Sequence, residues 1–260
     1  MKIIDAFIFY NEEKMLDFRL NYYSNVVDYF VIVESTLTFS GVTKPLYFEK
    51  LKDKYAHLNI IHYVVEDMPN TNAWDREHHQ RECIKRALKQ VPNIQDDDWV
   101  LVADCDEIAN RDKLQFIKNS NNLYSSPEQK GYTLEFDNYY YNITSKLNYH
   151  CYVTKLIRYK EIRNNELKEL RFSTFIYPLL REFGWHFSYF GSADMIKNKI
   201  QSFAHQEYNQ DKFTNKEHVE ECIKTGKSLF YLDPERINEV IYHIPVDTNT
   251  NLPEGYEMLL

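Results

Sequence analysis

The sequence predicts an α/β fold: a mostly parallel central sheet flanked by helices, followed by an elaborated, aromatic-rich second half. Three observations carry that prediction. Runs of β-branched and aromatic residues of strand length recur at residues 3–10, 26–34, 58–65 and 99–103. Segments with apolar residues at helical spacing separate these runs, and such alternation implies right-handed crossovers and parallel strands. From about residue 128 the alternation stops, and strand-like stretches such as YTLEFDNYYYN and HCYVTKLIRY follow one another.

Each element has a local cause. The first run ends in Asn11-Glu12-Glu13, a polar group suited to opening a helix, after which Met15, Leu16, Arg19, Leu20 and Tyr23 recur at helical spacing. VVDYFVIVE reads as a buried strand, and a polar loop over 35–44 hinges at Gly41. A short helix over 48–56 leads into the strand at 58–65. Residues 70–72 cap a longer helix over 74–90, in which Trp74, Cys83, Ile84, Ala87 and Leu88 share a buried side. Asp96-Asp97-Asp98, read as a solvated turn, precedes the fourth strand. Residues 161–170 are charged and read as a helix or an exposed loop, residues 183–190 as a strand, and the remainder as helix with connecting loops. There is no repeat, low-complexity tract or Pro/Gly-rich linker, so residues 1–260 read as one domain with halves 1–127 and 128–260.

Composition narrows the function classes. A formal net charge of −8 argues against a nucleic-acid partner, which needs a basic face for phosphates. It does not exclude a nucleotide, because a divalent cation can supply the positive charge. Cys83, Cys105, Cys151 and Cys222 show no zinc or redox spacing and read as free thiols in a reducing compartment. The start, MKIIDAFIFYNEE, reads as a strand and not as a targeting segment, and no run of eighteen apolar residues offers a membrane span. The expected location is therefore cytoplasmic, and the sequon at Asn142 is expected to carry no glycan. Aromatic residues make up 15% of the chain. Core packing explains them more simply than a sugar-stacking surface does.

The segment DDDWVLVADCDEIA places Asp104 and Asp106 just beyond the carboxyl end of the fourth strand. In open α/β sheets that edge forms the ligand crevice. Two carboxylates at i and i+2 of an extended segment point the same way and can share one hard cation, which then bridges diphosphate oxygens. In a chain with 39 acidic residues the spacing alone is weak evidence, and the position after a buried strand is what gives it weight.

Five ordered segments then bear on identity: DAFIFYNEEKMLDFRL, VVDYFVIVESTLTFSG, AWDREHHQR, VADCDEI and GWHFSYFG. Together, over about residues 3–205, they resemble glycosyltransferase family 17. The resemblance implies a GT-A-like fold, UDP-GlcNAc as donor, Mn²⁺ or Mg²⁺ as cofactor, a glycan acceptor and inversion at the anomeric carbon. Asp106 would be the direct metal ligand, and Asp104 would contact ribose or the metal through water. Residues 1–127 would bind the nucleotide sugar and residues 128–260 the acceptor. The chain differs from the family's eukaryotic members in showing no membrane anchor or stem, which opens the question of Golgi location and glycoprotein acceptor. Cys105 stands where another small residue is common.

Further candidates follow from placement. Asn11, Glu12 and Glu34 lie at strand ends, where carboxylates bond ribose or base, although Asn11 and Glu12 equally suit a helix cap. Glu34 is followed by STLTFSG, whose hydroxyls and glycine favour close approach of a ligand. Arg76 and Arg81 suit a diphosphate through their planar forks, or pair with Asp75, Glu77 and Glu82 on a solvated face. His186, between Gly184 and Gly191, is a site residue or a packed one. Asp194, at a helix start shared with Ser192, is the first choice for catalytic base, ahead of Glu182, Asp137 and Glu135. His205 and His243 are late metal-ligand candidates for which packing is the simpler reading, and the adjacent His78 and His79 diverge too far for both to chelate. Two other classes stay open: a sugar nucleotidyltransferase, disfavoured by the absence of glycine from FIFYNEEKM, and a non-catalytic sugar-binding module.

Overall fold

The computed structural model describes residues 1–120, 128–173 and 176–260. In chain order it contains β1 (Ile3–Phe9), α1 (Glu13–Tyr23), β2 (Tyr29–Ser35), α2 (Tyr47–Leu51), β3 (Ile60–Val65), α3 (Ala73–Glu82) and α4 (Ile84–Leu88). These are followed by β4 (Trp99–Asp104), β5 (Glu107–Ala109), α5 (Arg111–Asn119), β6 (Gly131–Tyr140), β7 (Ser145–Cys151) and β8 (Lys155–Arg158). The last part holds α6 (Tyr159–Asn164), α7 (Leu167–Phe172), β9 (Leu179–Ser188), α8 (Ala193–Ser202), α9 (Asp211–Thr214), α10 (Lys216–Thr225) and β10 (Ile241–His243).

One sheet runs through both halves in the order β10-β7-β6-β8-β4-β1-β2-β3, and β9 pairs with both β6 and β5. β4, β1, β2 and β3 are parallel, as the alternating pattern predicts. The remainder is mostly antiparallel: β8 lies antiparallel to β4 and β6, and β7 to β6, while β9 runs parallel to β6. The sheet is thus mixed, because consecutive strands joined by short loops turn back on themselves once the crossover helices cease. The boundary expected at 127–128 adjoins residues 121–127, which lie outside the described residues.

Period-two alternation gives each parallel strand two apolar faces. Ile3, Phe7, Trp99 and Leu101 pack against Leu16, Leu20 and Tyr23 of α1. On the opposite face Ile4, Ala6, Val31, Val100 and Val102 meet Ile84, Ala87 and Leu88 of α4 and Leu167 and Leu170 of α7. A third cluster joins Ile196 and Ile200 of α8 to Val219 and Cys222 of α10 and to Tyr140 of β6.

Several boundaries differ from expectation. The helix predicted over 74–90 is two helices, α3 and α4, meeting at Cys83; Asn72 caps it as expected, accepting from Asp75 N at 2.9 Å. The charged stretch at 161–170 belongs to two short helices, α6 and α7, whose Ile162, Leu167 and Leu170 are buried. The triplet 96–98 is not a wholly solvated turn. Asp98 is buried and accepts from Lys2 N at 2.6 Å, tying the turn to the first strand.

β5 and β9 approach so closely at Gly184 that a Cβ there would lie 2.2 Å from the carbonyl oxygen of Ile108 and 2.8 Å from Ala109 Cα. Backbone cannot yield as a side chain can. Gly184→Ala should lower stability by about 3 kcal/mol, read as a fall in the urea midpoint.

Candidate active site

The acidic loop is held in place from below. Asp5 of β1 and Arg19 of α1 form a fully buried pair, with Nε and Nη2 donating to the carboxylate at 2.7 and 2.6 Å. Burial disfavours the charge on Arg19, but attraction to Asp5 and their hydrogen bonds outweigh it and hold the guanidinium above its usual range. The remaining nitrogen, Nη1, donates to the carbonyl oxygens of Asp104, Cys105 and Glu107 at 2.9, 3.1 and 2.7 Å. The hydroxyl of Tyr23, one turn on, bonds the backbone of Ala109. This scaffold turns the side chains of Asp104 and Asp106 toward a cleft of about 560 Å³ and sends Cys105 into the core.

Inside the cleft every acid of the triplet region has a cation. Asp104 Oδ1 accepts from Arg81 Nη1 of α3 at 2.5 Å, and its Oδ2 from Arg171 Nη2 of α7 at 2.7 Å. Burial raises the Asp104 pKa, but the charges of Arg171 and Arg81 outweigh that and leave it at about 2. Arg171 also grips Glu107 at 2.7 and 2.9 Å, and Glu107 accepts from Thr154 Oγ1 at 2.7 Å and Asp104 N at 2.9 Å. Asp106 Oδ2 accepts from Lys199 Nζ of α8 at 2.7 Å, while its Oδ1 stands 3.6 Å from His186 Nε2 of β9. Burial again opposes the Asp106 charge, yet Lys199 and His186 hold its carboxyl far below the usual range. In return, burial disfavours His186 protonation but Asp106 outweighs it and raises the imidazole well above its ordinary value. His186 is oriented by Asn138 Oδ1 and Ser188 Oγ, each at 2.9 Å.

A second cavity of about 570 Å³ shares Glu12, Asp106, Tyr189 and Lys199 with the cleft, so the two spaces meet at Asp106. Tyr189 adopts a left-handed backbone (φ 58°), a cost of the kind that a functional wall can retain. The other wall of the cleft is Ser35 at the end of β2, Thr38 and Phe39 beyond it, and Trp74, Gln80 and Arg81 of α3.

A divalent cation fits part of this donor set. Asp104 has both oxygens in ion pairs with arginines, so the expectation that the two aspartates share one cation does not match the geometry. Asp106, whose Oδ1 stands 3.6 Å from His186 Nε2 and whose Oδ2 meets a lysine, presents the freer carboxylate, a donor suited to Mn²⁺ or Mg²⁺. Glu107, Cys151 and His186 also cluster, but Glu107 is saturated by Arg171, Thr154 and the backbone.

The match to glycosyltransferase family 17 extends over residues 1–251. The chain belongs to that family. Two relatives, the beta-1,4-mannosyl-glycoprotein 4-beta-N-acetylglucosaminyltransferases of Rattus norvegicus and Homo sapiens, are each 26% identical over 125 residues, which is 45% of this chain. That match covers 23% and 24% of those relatives, so the chain aligns with about a quarter of their length. Among solved structures, a 4-diphosphocytidyl-2C-methyl-D-erythritol synthase matches with TM-score 0.40 and 12% identity, covering 74% of this chain and 90% of that one. A glycosyltransferase involved in glycosylation of the major capsid of PBCV-1 matches with TM-score 0.31 and 13% identity, covering 70% of this chain and 81% of that one. Among the described residues, no helix is long and apolar enough to cross a membrane.

Of the family member's sequence-predicted site residues, Asp104, Asp106, Arg81, His186 and Glu12 come together in the cleft. Asn11 lines only the second cavity, where its amide donates to Asn198 Oδ1 at 3.1 Å. Glu34 is withdrawn from the cleft. It is fully buried and accepts from Tyr47 N and Phe48 N at 2.5 and 3.2 Å, capping α2, with Lys44 and His62 on its remaining lone pairs. Arg76 also turns away, donating to the carbonyls of Pro69 and Phe39 and bracing the loop at Gly41. Asp194 is corrected as well: it is exposed on the outer face of α8, pairs with Lys216 at 3.0 Å and lines neither cavity, while Ser192 caps the helix. Glu135 and Asp137 are committed to bonds with Glu182 N and with Lys146, His150 and Asn251. His205 lines the cleft against Trp74, whereas His243 is exposed on β10.

Arg171 and Lys199 were absent from the sequence candidates, and both carry a faint signal. Leu167, Leu170 and Arg171 follow i, i+3, i+4 spacing, as do Ile196, Lys199 and Ile200, so each cation shares its helix's buried face.

Removing Arg171 strands the buried Glu107 carboxylate and leaves the half-buried Asp104 with Arg81 alone. Arg171→Met should cost about 3–5 kcal/mol in denaturant unfolding, well above the median of a surface ion pair. Beside it, burial first and Arg171 second lower the pKa of Lys155 from 10.5 to about 8, against the pull of Glu107. Between those two pH values the unfolded chain binds more protons at this site than the native one. Wild-type stability should therefore rise relative to Lys155→Met from pH 8 to 10.5, by about 3 kcal/mol, with the penalty fully present below pH 8. Parallel unfolding curves of the two proteins across that range check the sign.

Proposed function

We propose that this family 17 member is a glycosyltransferase that moves N-acetylglucosamine from UDP-GlcNAc to a glycan hydroxyl, with inversion and with Mn²⁺ or Mg²⁺ held at Asp106. The observation that carries the reading is the position of the Asp104–Asp106 segment. It ends a parallel strand and opens on the cleft, in a chain whose family match spans residues 1–251. The N-acetylglucosaminyl group in the relatives' names supports the choice of sugar. A GT-A-like division of the sheet, with a nucleotide side at β1–β4 and an acceptor side at β6–β9, belongs to the same proposal, as does a cytoplasmic setting.

In this reading the ribose and uracil lie against Ser35, Thr38 and Trp74, where hydroxyls and an aromatic face line the cleft. Asp104 serves as an electrostatic anchor, aligning Arg81 and Arg171 below the diphosphate. A divalent cation, when bound, offsets negative charge on the departing diphosphate. His186 keeps Asp106 oriented and ionised. The proton of the acceptor hydroxyl needs a carboxylate with spare capacity. Asp104 and Glu107 are saturated by arginines, and Glu77 holds Arg81 at 2.8 Å. Among the described residues Glu12 has a single ion pair, at 3.4 Å, and it faces both cavities, so it replaces Asp194 as the proposed base.

Incubation with UDP-GlcNAc and Mn²⁺ should release UDP. Asp106→Asn, in protein that melting curves show to be folded, should lower that rate by at least 10²-fold. Near-normal turnover in the variant overturns the reading. Pyrophosphate-dependent formation of UTP instead of UDP would point to a nucleotidyltransferase, and glycan binding without UDP release to a sugar-binding module.

A further inference from the structure

We propose that Lys199 is an internal cation that competes with the divalent ion for Asp106, coupling metal binding to arrival of the anionic donor. The inference rests on the reading of Asp106 as the metal-holding carboxylate and adds a residue to which that reading assigns no part. Lys199 reaches the site because Ile196 and Ile200 bury the same face of α8. Its ammonium donates to Asp106 Oδ2 at 2.7 Å, stands 3.4 Å from Glu12 Oε1 and lies 5.7 Å from the centre of the Tyr189 ring. His186 Nε2 stands 3.6 Å from Oδ1, so a nitrogen group faces each oxygen of Asp106.

Two consequences follow from charge alone. A hard divalent cation binds carboxylate oxygen at about 2.0–2.2 Å, so an ion on Asp106 would stand within a few ångströms of the Lys199 ammonium. In a partly buried site that repulsion is many times thermal energy, and the metal alone is held weakly. A nucleoside diphosphate brings negative charge into the same space and allows both cations to remain. Lys199 also has Glu12 as a second carboxylate to keep when Asp106 takes the metal. Metal and diphosphate therefore raise each other's affinity, as linkage requires, and the size of the effect depends on the charge at position 199.

The test is Mn²⁺ titration of the full chain, followed by electron paramagnetic resonance of free Mn²⁺ and corrected for Mn²⁺ held by free UDP. Wild type should gain at least tenfold in Mn²⁺ affinity when saturated with UDP. Lys199→Gln should bind Mn²⁺ at least tenfold more tightly than wild type without UDP and should lose most of the gain from UDP. Lys199→Arg, which keeps the charge, should retain the wild-type pattern. Equal Mn²⁺ affinity of wild type and Lys199→Gln in the absence of UDP overturns the inference, as does an arginine variant that behaves like glutamine. Asp106→Asn separates this from the underlying reading. It should lose Mn²⁺ binding, and if it binds as wild type does, the assignment of the metal to Asp106 fails first. Melting curves establish that each variant is folded, and Lys199→Met takes the place of Lys199→Gln in the same titration if the glutamine variant is not.

Discussion

Arg19 is the constraint on which the site depends. Its guanidinium is buried between Asp5 of β1 and the three carbonyl oxygens of the loop that carries the acidic triplet. Two charges removed from water are costly, and a pair of this kind gives little net stability over an apolar replacement. What it gives here is geometry. The fork of one side chain satisfies a carboxylate on one edge and a set of carbonyls on the other, so the loop after β4 has one position relative to β1. The stacking of Arg19 over Phe7, 4.5 Å from the ring centre, closes the arrangement from the side.

Above that floor, the acids are neutralised by side chains from distant parts of the chain. α3 supplies Arg81, α7 supplies Arg171, α8 supplies Lys199 and β9 supplies His186. The carboxylates stay ionised in a buried setting only because these four converge, so the cleft is as much a property of the second half as of the first. The strands of the second half serve the same end. By continuing the sheet beyond β4, they bring Asn138, Tyr140, His186 and Ser188 opposite the parallel strand ends and give the cleft its second wall.

The acids divide into two kinds. Asp104 and Glu107 are locked by arginines, whose charge is permanent and whose forks engage both oxygens of each carboxylate. Asp106 and Glu12 are paired with a lysine, a single flexible ammonium that other cations can displace. Structural fixity and chemical availability are thereby assigned to neighbouring carboxylates by the type of cation each one meets.

Much of this was legible in the sequence. The strands read at 3–10, 26–34, 58–65 and 99–103, which fold as Ile3–Phe9, Tyr29–Ser35, Ile60–Val65 and Trp99–Asp104, the cap at Asn72 and the Asp104–Asp106 pair at a strand end all follow from local rules of burial, periodicity and placement. The candidates that turned away show where such rules stop. Glu34 and Arg76 lie at strand-end and helix positions that suit a ligand, but backbone groups of α2 and of the 36–44 loop required a buried partner and took them. Asp194 has the right residue type at a helix start, yet the rotation of α8, set by Ile196 and Ile200, points it outward and Lys199 inward. The sequence by itself determined the α/β class, the parallel core and the acidic strand end, because each depends on neighbours in the chain. The tertiary structure alone decided which carboxylate stays available, because that depends on which cations the folded chain carries to it.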